Sequence, residues 1–356
     1  MIPASFKAKP EDFVVEELPL YEPSGEGEHL YLRFEKIDLT TDEAVRRIAR
    51  ALGVHPRDVG VPGMKDRRAV TTQTVSVPCH AKDTALEARA RALSLDGIRL
   101  EWALRHRNKL KTGHLAGNRF VVTLRDVPRA RVAEATAALG SIAERGAPNA
   151  YGGQRFGRDG DNAARALAWL KGEAPEPRDP KQRRFLASAL QSAVFNRVLE
   201  RRVADGSWHV PEDGDVLELH ASGGLFACTD VQVDRERAAR GEVSPTGPMH
   251  GPKMKPAGGR IAALEEEALR EVVGTTVDFG KLGTYAEGTR RALRVWVREM
   301  RWETLADVTK DAMDVTSLRV YFVLPRGAYA TTVLGGVFDL REPALAGPQG
   351  GAGGDG

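Results

Sequence analysis

Two kinds of apolar spacing alternate along the first 145 residues, and this alternation restricts the fold more than any other feature. Phe13 to Leu18 and His29 to Phe34 read as strands, the second with Leu30, Leu32 and Phe34 on one face. Thr41, Asp42 and Glu43 open a helix whose apolar face is Val45, Ile48, Ala49 and Leu52, and Gly53 closes it. A strand at VTTQTVSVP, a helix at Asp83 to Leu93, strands at Ile98 to Leu104 and Phe120 to Leu124, and a helix at Arg129 to Arg145 continue the pattern. Such alternation indicates α/β or α+β architecture. Strands that recur as hairpin-like neighbours favour an antiparallel or mixed sheet over a doubly wound parallel one.

Beyond residue 145 the signals change. APNAYGGQRFGRDGDN, at 147 to 162, is Gly-rich and polar, and a short helix follows at Ala163 to Lys171. GEAPEPRDP has three prolines in nine residues and reads as a linker. Gln182 to Val203 is a long amphipathic helix, and residues 205 to 290 read as irregular. Residues 316 to 340 read as strand, turn, then strand or helix, returning to the first domain. The GPQGGAGGDG tail reads as flexible. A length of 356 residues suits two domains.

Several function classes lose support. Cys79 and Cys228 lie far apart and belong to no CxxC pair, which argues against a disulfide scaffold or a Cys zinc site. The N-terminus has no apolar core of the signal-peptide kind, and no run of about 18 apolar residues exists, so a soluble cytoplasmic protein is expected. No HExxH, P-loop or GxSxG pattern occurs. Asp159, Asp161 and Asn162 only imitate the start of a calcium loop, without its Gly and terminal Glu. A formal GxGxxG in the tail has no strand before it and no helix after it.

The net charge of +3 conceals clustering. Residues 99 to 119 carry Arg99, Arg105, Arg107, Lys109, Lys111 and Arg119 against Glu101 alone. This is either a solvated loop between strands or a phosphate-contacting patch for RNA or DNA. A second basic stretch runs from Lys181 to Arg202. A third, RRALRVWVREMRW at 290 to 302, alternates as a strand, and its Trp296 and Trp302 suit either a core or base stacking.

The most informative loop is GMKDRRAVTTQ, at 63 to 73. Its one carboxylate, Asp66, sits among Lys65, Arg67 and Arg68. It is either a surface turn with local charge compensation or a carboxylate that nearby cations hold ionised for nucleophilic work beside a polyanion.

This loop also carries a resemblance. With KAKPEDFVVEE at 7 to 17, RHRNKLKTGHLAGNRF at 105 to 120, PNAYGGQRFGRDGDN at 148 to 162, FLASALQSAVFNRV at 185 to 198 and LPRGAYATTVL at 324 to 334, it resembles the TruD family of tRNA pseudouridine synthases in the family's order. The resemblance implies an enzyme that isomerises uridine to pseudouridine in tRNA, at uridine 13, without cofactor or metal. It implies Asp66 as the catalytic carboxylate, attacking the sugar or base or removing a sugar proton. The base must first be flipped out of its stack. Asn149 would bond the substrate or orient Asp66. Tyr151, standing for the family's usual Phe, would stack on the base, and its hydroxyl adds a possible proton relay. Ala150 replaces the motif's Tyr. Phe13 and Tyr329 would line the nucleotide pocket, with Lys65, Gln73 and Arg155 in support. Arg105, Arg107, Lys109, Lys111 and Arg119 are the expected RNA-backbone contacts.

The implied fold is α+β, a mixed, largely antiparallel sheet of the circularly permuted pseudouridine synthase type with an inserted family-specific α/β domain. The expected division is 1–174 and 311–342 for the catalytic domain, 175–310 for the insertion and 343–356 for the tail, with the active cleft between domains. The expected partner is tRNA, with no membrane and no metal, and the expected state is a monomer. An RNA-binding protein without chemistry and a metal-dependent hydrolase are the rival classes.

Overall fold

The structure is a computed structural model that describes residues 1–157, 159–274, 282–283, 285–305 and 314–343. The chain divides into two compact units. The first comprises residues 1–139, 298–327 and 337–356, and the second 140–297 and 328–336. The expected tail lies outside the described residues from 344 onward. The Pro-rich 172–180 stretch falls inside the second unit.

The first unit is built on a ten-stranded sheet. Its main path runs Arg298–Leu305, Val315–Pro325, Leu115–Pro128, Phe13–Pro19, Val70–Pro78, His29–Ile37, Ile98–His106, Ser94–Leu95. On that path only Phe13–Pro19 with Val70–Pro78 is parallel, so the sheet is mixed and largely antiparallel, as expected. Ile2–Ser5 pairs in parallel with Phe338–Arg341, which ties the start of the chain to its far end.

The Thr41–Leu52 helix forms where the spacing predicts. Thr40 caps it by accepting from Glu43 N–H while the Glu43 carboxylate returns to Thr40, and Gly53 ends it at φ 71°. Its Ala44, Val45, Ile48 and Leu52 pack on Leu30, Leu32, Phe34, Val75 and Val77 of the sheet. Aromatic rings join Phe6 to Phe13, Phe13 to Phe120 and Phe120 to Phe322. The expected basic loop is shorter than it reads, because strands Ile98–His106 and Leu115–Pro128 extend into it.

Two expectations are corrected in the second unit and where the chain leaves it. Residues 205 to 290 are not irregular: they include strands Val216–Leu219, Leu225–Ala227 and Val243–Met249 and helices Val231–Ala239 and Gly259–Val273. These strands and Thr289–Ala292 form a four-stranded antiparallel sheet. The long helix runs from Pro180 to Ala204, with Asp179 as its cap and Pro180 in its first turn. Inside it Arg202 forms a doubly bonded ion pair with Asp215, both fully buried. The 290–302 stretch is not one strand but parts of three: Thr289–Ala292, Arg294–Val295 and Arg298–Leu305.

Candidate active site

In the first unit, the Asp66 loop leads into strand Val70–Pro78, and its main chain is fixed from three directions. Lys65 N–H donates to Thr41 Oγ1 (2.8 Å), and that hydroxyl donates to Gln73 Oε1 (3.1 Å). This relay brings Lys65 and Gln73 together at the helix start. From below, the fully buried Lys36 donates to the Asp66 carbonyl (2.9 Å) and the Leu39 carbonyl (2.5 Å). Burial pushes the Lys36 ammonium down to about 8. Arg68 donates to the Ala8 and Pro343 carbonyls. Gly60, at the loop's approach, has no room for a side chain: a Cβ would meet the Leu110 carbonyl at 2.3 Å.

The Asp66 side chain is 46% exposed and accepts from Lys7 Nζ at 2.9 Å. The expected cation neighbours do other work. Lys65 pairs with the buried Glu17 at 2.7 Å, and Arg67 lies 3.8 Å from Asp38. Lys7 itself is buried, and its Nζ stands 4.4 Å from the centre of the Phe13 ring and 5.0 Å from that of Phe6. Phe13 is 3% exposed. It forms the floor beneath Lys7 rather than an open stacking face. Lys7 is present in KAKPEDF, but pairing across 59 positions leaves no trace in local spacing.

In the second unit, Tyr151, Arg155 and Tyr329 line one pocket of about 210 Å³. Phe185, 42% exposed, and Tyr329, 48% exposed, also line it. The main chain of Tyr151 is clamped by one amide: Asn196 Oδ1 accepts from Tyr151 N–H (2.8 Å) and Asn196 Nδ2 donates to its carbonyl (2.9 Å). The Tyr151 hydroxyl points to Met249 Sδ (3.7 Å). Arg155 donates to Ser188 Oγ (3.1 Å) and lies 4.9 Å from the Tyr151 ring centre.

Arg291, which sequence reasoning did not single out, packs behind this pocket. Its guanidinium lies 4.2 Å from the Tyr151 ring centre and donates to Asn149 Oδ1 (2.6 Å). Burial holds it below the usual arginine range. Asn149 Nδ2 donates to the Ala292 carbonyl (2.8 Å), so both ends of this amide are engaged inside the unit. Asn149 therefore braces the Tyr151 pocket, and its bonds run to Arg291 and Ala292.

The five expected backbone contacts separate by surroundings. Arg105 is turned inward, donating to Glu87 and to the Gly27, Cys79 and His80 carbonyls. Arg119 pairs with Glu16 (2.7 Å) and Glu299 (3.4 Å). Arg107 is exposed and pairs with Glu26. Lys109 and Lys111 have no carboxylate partner among the described residues. Among the described residues no group of three or more His, Cys, Asp or Glu side chains is placed to hold a metal ion, and no helix is long and apolar enough to cross a membrane.

The family model described as tRNA pseudouridine synthase D (TruD) matches residues 2–165 and 172–337. The chain is similar to the tRNA pseudouridine synthase D of Anaeromyxobacter sp. (strain Fw109-5), 45% identical over 350 residues that cover 97% of this chain and 93% of that one. It is similar to a tRNA pseudouridine synthase D of Thermus thermophilus, 40% identical over 328 residues that cover 92% and 86%. Its fold matches a crystal structure from Methanosarcina mazei that carries the TruD designation, with a TM-score of 0.74 at 23% identity over 93% and 92% of the two chains. The chain belongs to the tRNA pseudouridine synthase D (TruD) family.

Proposed function

We propose that this protein isomerises uridine to pseudouridine in tRNA, that uridine 13 is the target, and that Asp66 is the catalytic carboxylate. The observation that carries the reading is a half-exposed Asp66 carboxylate with one buried cation, Lys7, bonded to one oxygen. The second oxygen is left for the substrate. In the reaction the bond from ribose C1′ to N1 breaks, the uracil turns, and C1′ bonds to C5. C5 loses its hydrogen and N1 gains one, so the atoms balance and no electrons are exchanged with a partner. A positioned carboxylate meets the chemical demand, either as a nucleophile or as a base.

The Tyr151 ring, held edge-on against Phe195 at 5.5 Å and capped by Arg291, supplies a face for the flipped base. Tyr329 and Phe185 offer further ring surface to it. Phe13 takes part through Lys7, and Asn149 through the brace with Arg291. Gln73 and Lys65 hold the Asp66 loop, and Arg155 packs on Tyr151. Arg107 and Lys111, which are exposed, and the half-buried Lys109 are the backbone contacts.

The test is chemical mapping of pseudouridine in unmodified tRNA incubated with the wild type and with Asp66→Asn. The expected result is one new pseudouridine at position 13 with the wild type and none with the variant. Full activity in the variant removes Asp66 from the chemistry. A product at another position removes the site assignment but keeps the reaction.

A further inference from the structure

The first unit holds a second aromatic and basic site, none of whose lining residues bonds to the Asp66 carboxylate. It forms where the Pro19–His29 connection meets the turn between strands Ile98–His106 and Leu115–Pro128. Four rings meet there in sequence. Tyr31 lies 4.5 Å from His106, His106 stacks on Tyr21 at 5.1 Å with planes 15° apart, and Tyr21 meets His114 edge-on at 6.0 Å. The Tyr21 hydroxyl and His114 Nδ1 are hydrogen-bonded at 2.8 Å, and the Tyr31 hydroxyl donates to the Asn108 carbonyl at 2.9 Å. These bonds fix the rings before any ligand arrives.

Tyr21, His106 and His114 line a groove of about 580 Å³ together with Arg107, Lys109 and Lys111, and no carboxylate is among its lining residues. That volume lies in the range that holds a small organic ligand. The charge pattern is unusual for this unit. Lys7, Lys65, Arg33 and Arg119 each face a carboxylate, whereas Lys109 donates to the Arg57 carbonyl and Lys111 forms no ion pair among the described residues. Burial, followed by the neighbouring cations Lys109 for His29 and Arg107 for His106, holds both imidazoles below their ordinary range. They are flat, uncharged rings at neutral pH. Flat rings with adjacent unpaired cations match the two halves of a nucleotide, its base and its phosphate.

We propose that this groove is a second nucleotide subsite, which takes an unpaired nucleotide of the tRNA other than the target uridine. The base lies against the face of Tyr21 turned away from His106, and the phosphates on either side meet Lys109 and Lys111. A paired base would offer no free face to the rings, so the subsite selects single-stranded over duplex RNA. The inference rests on the tRNA-modifying reading.

The experiment measures tRNA binding to the full chain as Tyr21→Phe, Tyr21→Leu and the Lys109→Ala/Lys111→Ala double variant, with pseudouridine formation by the wild type recorded on the same tRNA. Tyr21→Phe keeps the ring and loses the His114 bond, and should bind within about twofold of the wild type. Tyr21→Leu loses the ring face, and its Kd should rise about tenfold, with the preference for single strands reduced. The double variant should lower the salt slope by about 1.5. Unchanged affinity in Tyr21→Leu overturns the subsite while pseudouridine formation still supports the enzyme. A mononucleotide that fills the groove, with tRNA affinity indifferent to Tyr21, also overturns it. Loss of affinity without pseudouridine in the wild type keeps the subsite and overturns the enzyme reading. An unchanged salt slope in the double variant also overturns the proposal, and should Tyr21→Leu not fold, Tyr21→Met takes its place with the same expected loss.

Discussion

The Asp66 loop and the Tyr151 pocket each rest on a cation over aromatic rings, buried in the first and half-buried in the second, yet they use that cation in opposite ways. Lys7 lies over Phe6 and Phe13 and bonds to a carboxylate. Arg291 lies over Tyr151 and Phe195 and bonds to a neutral amide, Asn149. The first arrangement concentrates charge on a half-exposed oxygen. The second spends its charge on a ring face and leaves the pocket a shape. A reactive group needs a counter-ion that stays with it, whereas a recognition face needs a plane that does not tilt. The two regions should therefore fail differently when their supports are removed.

The largest effect should come from Asp66, the proposed reactive group. Asp66→Asn keeps the volume and removes the charge, and the rate of hydrogen release from C5-labelled uridine should fall by more than about a thousandfold. The tRNA Kd should stay within about threefold, because the carboxylate is a single exposed anion. A rate within tenfold of the wild type would break the comparison at its root.

The neutral region should be the acid-sensitive one. His250 follows Met249, the residue that meets the Tyr151 hydroxyl. Burial, and then the charge of Arg290, push its imidazole down to about 4. Below its ordinary value near 6.5 the unfolded chain binds a proton that the folded chain refuses. This contribution to stability is complete above that value and is lost as pH falls toward 4, with a magnitude of about 3 kcal/mol. Glu218 and Glu265, whose carboxyls burial pushes up, act with the opposite sign over the acid range. His250→Phe isolates the histidine: denaturant unfolding between pH 7 and pH 4.5 should lose less stability in the variant than in the wild type. Equal slopes would remove His250 as the acid sensor.

How much of this was legible in the sequence differs by region for physical reasons. The Thr41–Leu52 helix carries its period, its capping Thr40 and its closing Gly53 locally, so its bounds are readable. Asp66 is readable from its loop, but its cation is not, because Lys7 reaches it through the fold. Strand Val243–Met249 is paired on both sides, buried throughout, and contains Pro245 and Pro248. Proline normally argues against an inner strand, which hid this one. Arg291 was lost in a run that alternates like one strand, whereas Leu293 separates two short ones there. Basic residues two positions apart, Arg105 and Arg107, look alike in sequence; only the structure separates the carbonyl-bonded one from the exposed one.

Lys7 offers the next test of the ionic arrangement. Lys7→Met removes the counter-ion and keeps most of the stem over Phe13. The rate should fall about a hundredfold, the size expected when a reacting group loses its placement, and Lys7→Arg should recover part of it. An Arg variant no better than Met would mean that ammonium geometry, and not charge, matters at Asp66.

The smallest effect should separate plane from charge in the neutral region. Arg291→Lys preserves the cation but loses the planar fork, which both covers the Tyr151 ring and reaches Asn149 Oδ1. A lysine can do one of these, not both. Asn149 would keep its bond to the Ala292 carbonyl, and Asn196 would keep the Tyr151 main chain, so the pocket should survive with a looser ring. The expected outcome is a rise in KM of about tenfold, near 1.4 kcal/mol, with little change in kcat, read from steady-state pseudouridine formation. If Arg291→Lys behaves as the wild type, Phe195 and Asn196 suffice to hold the ring, and only the Asp66 loop depends on its buried cation.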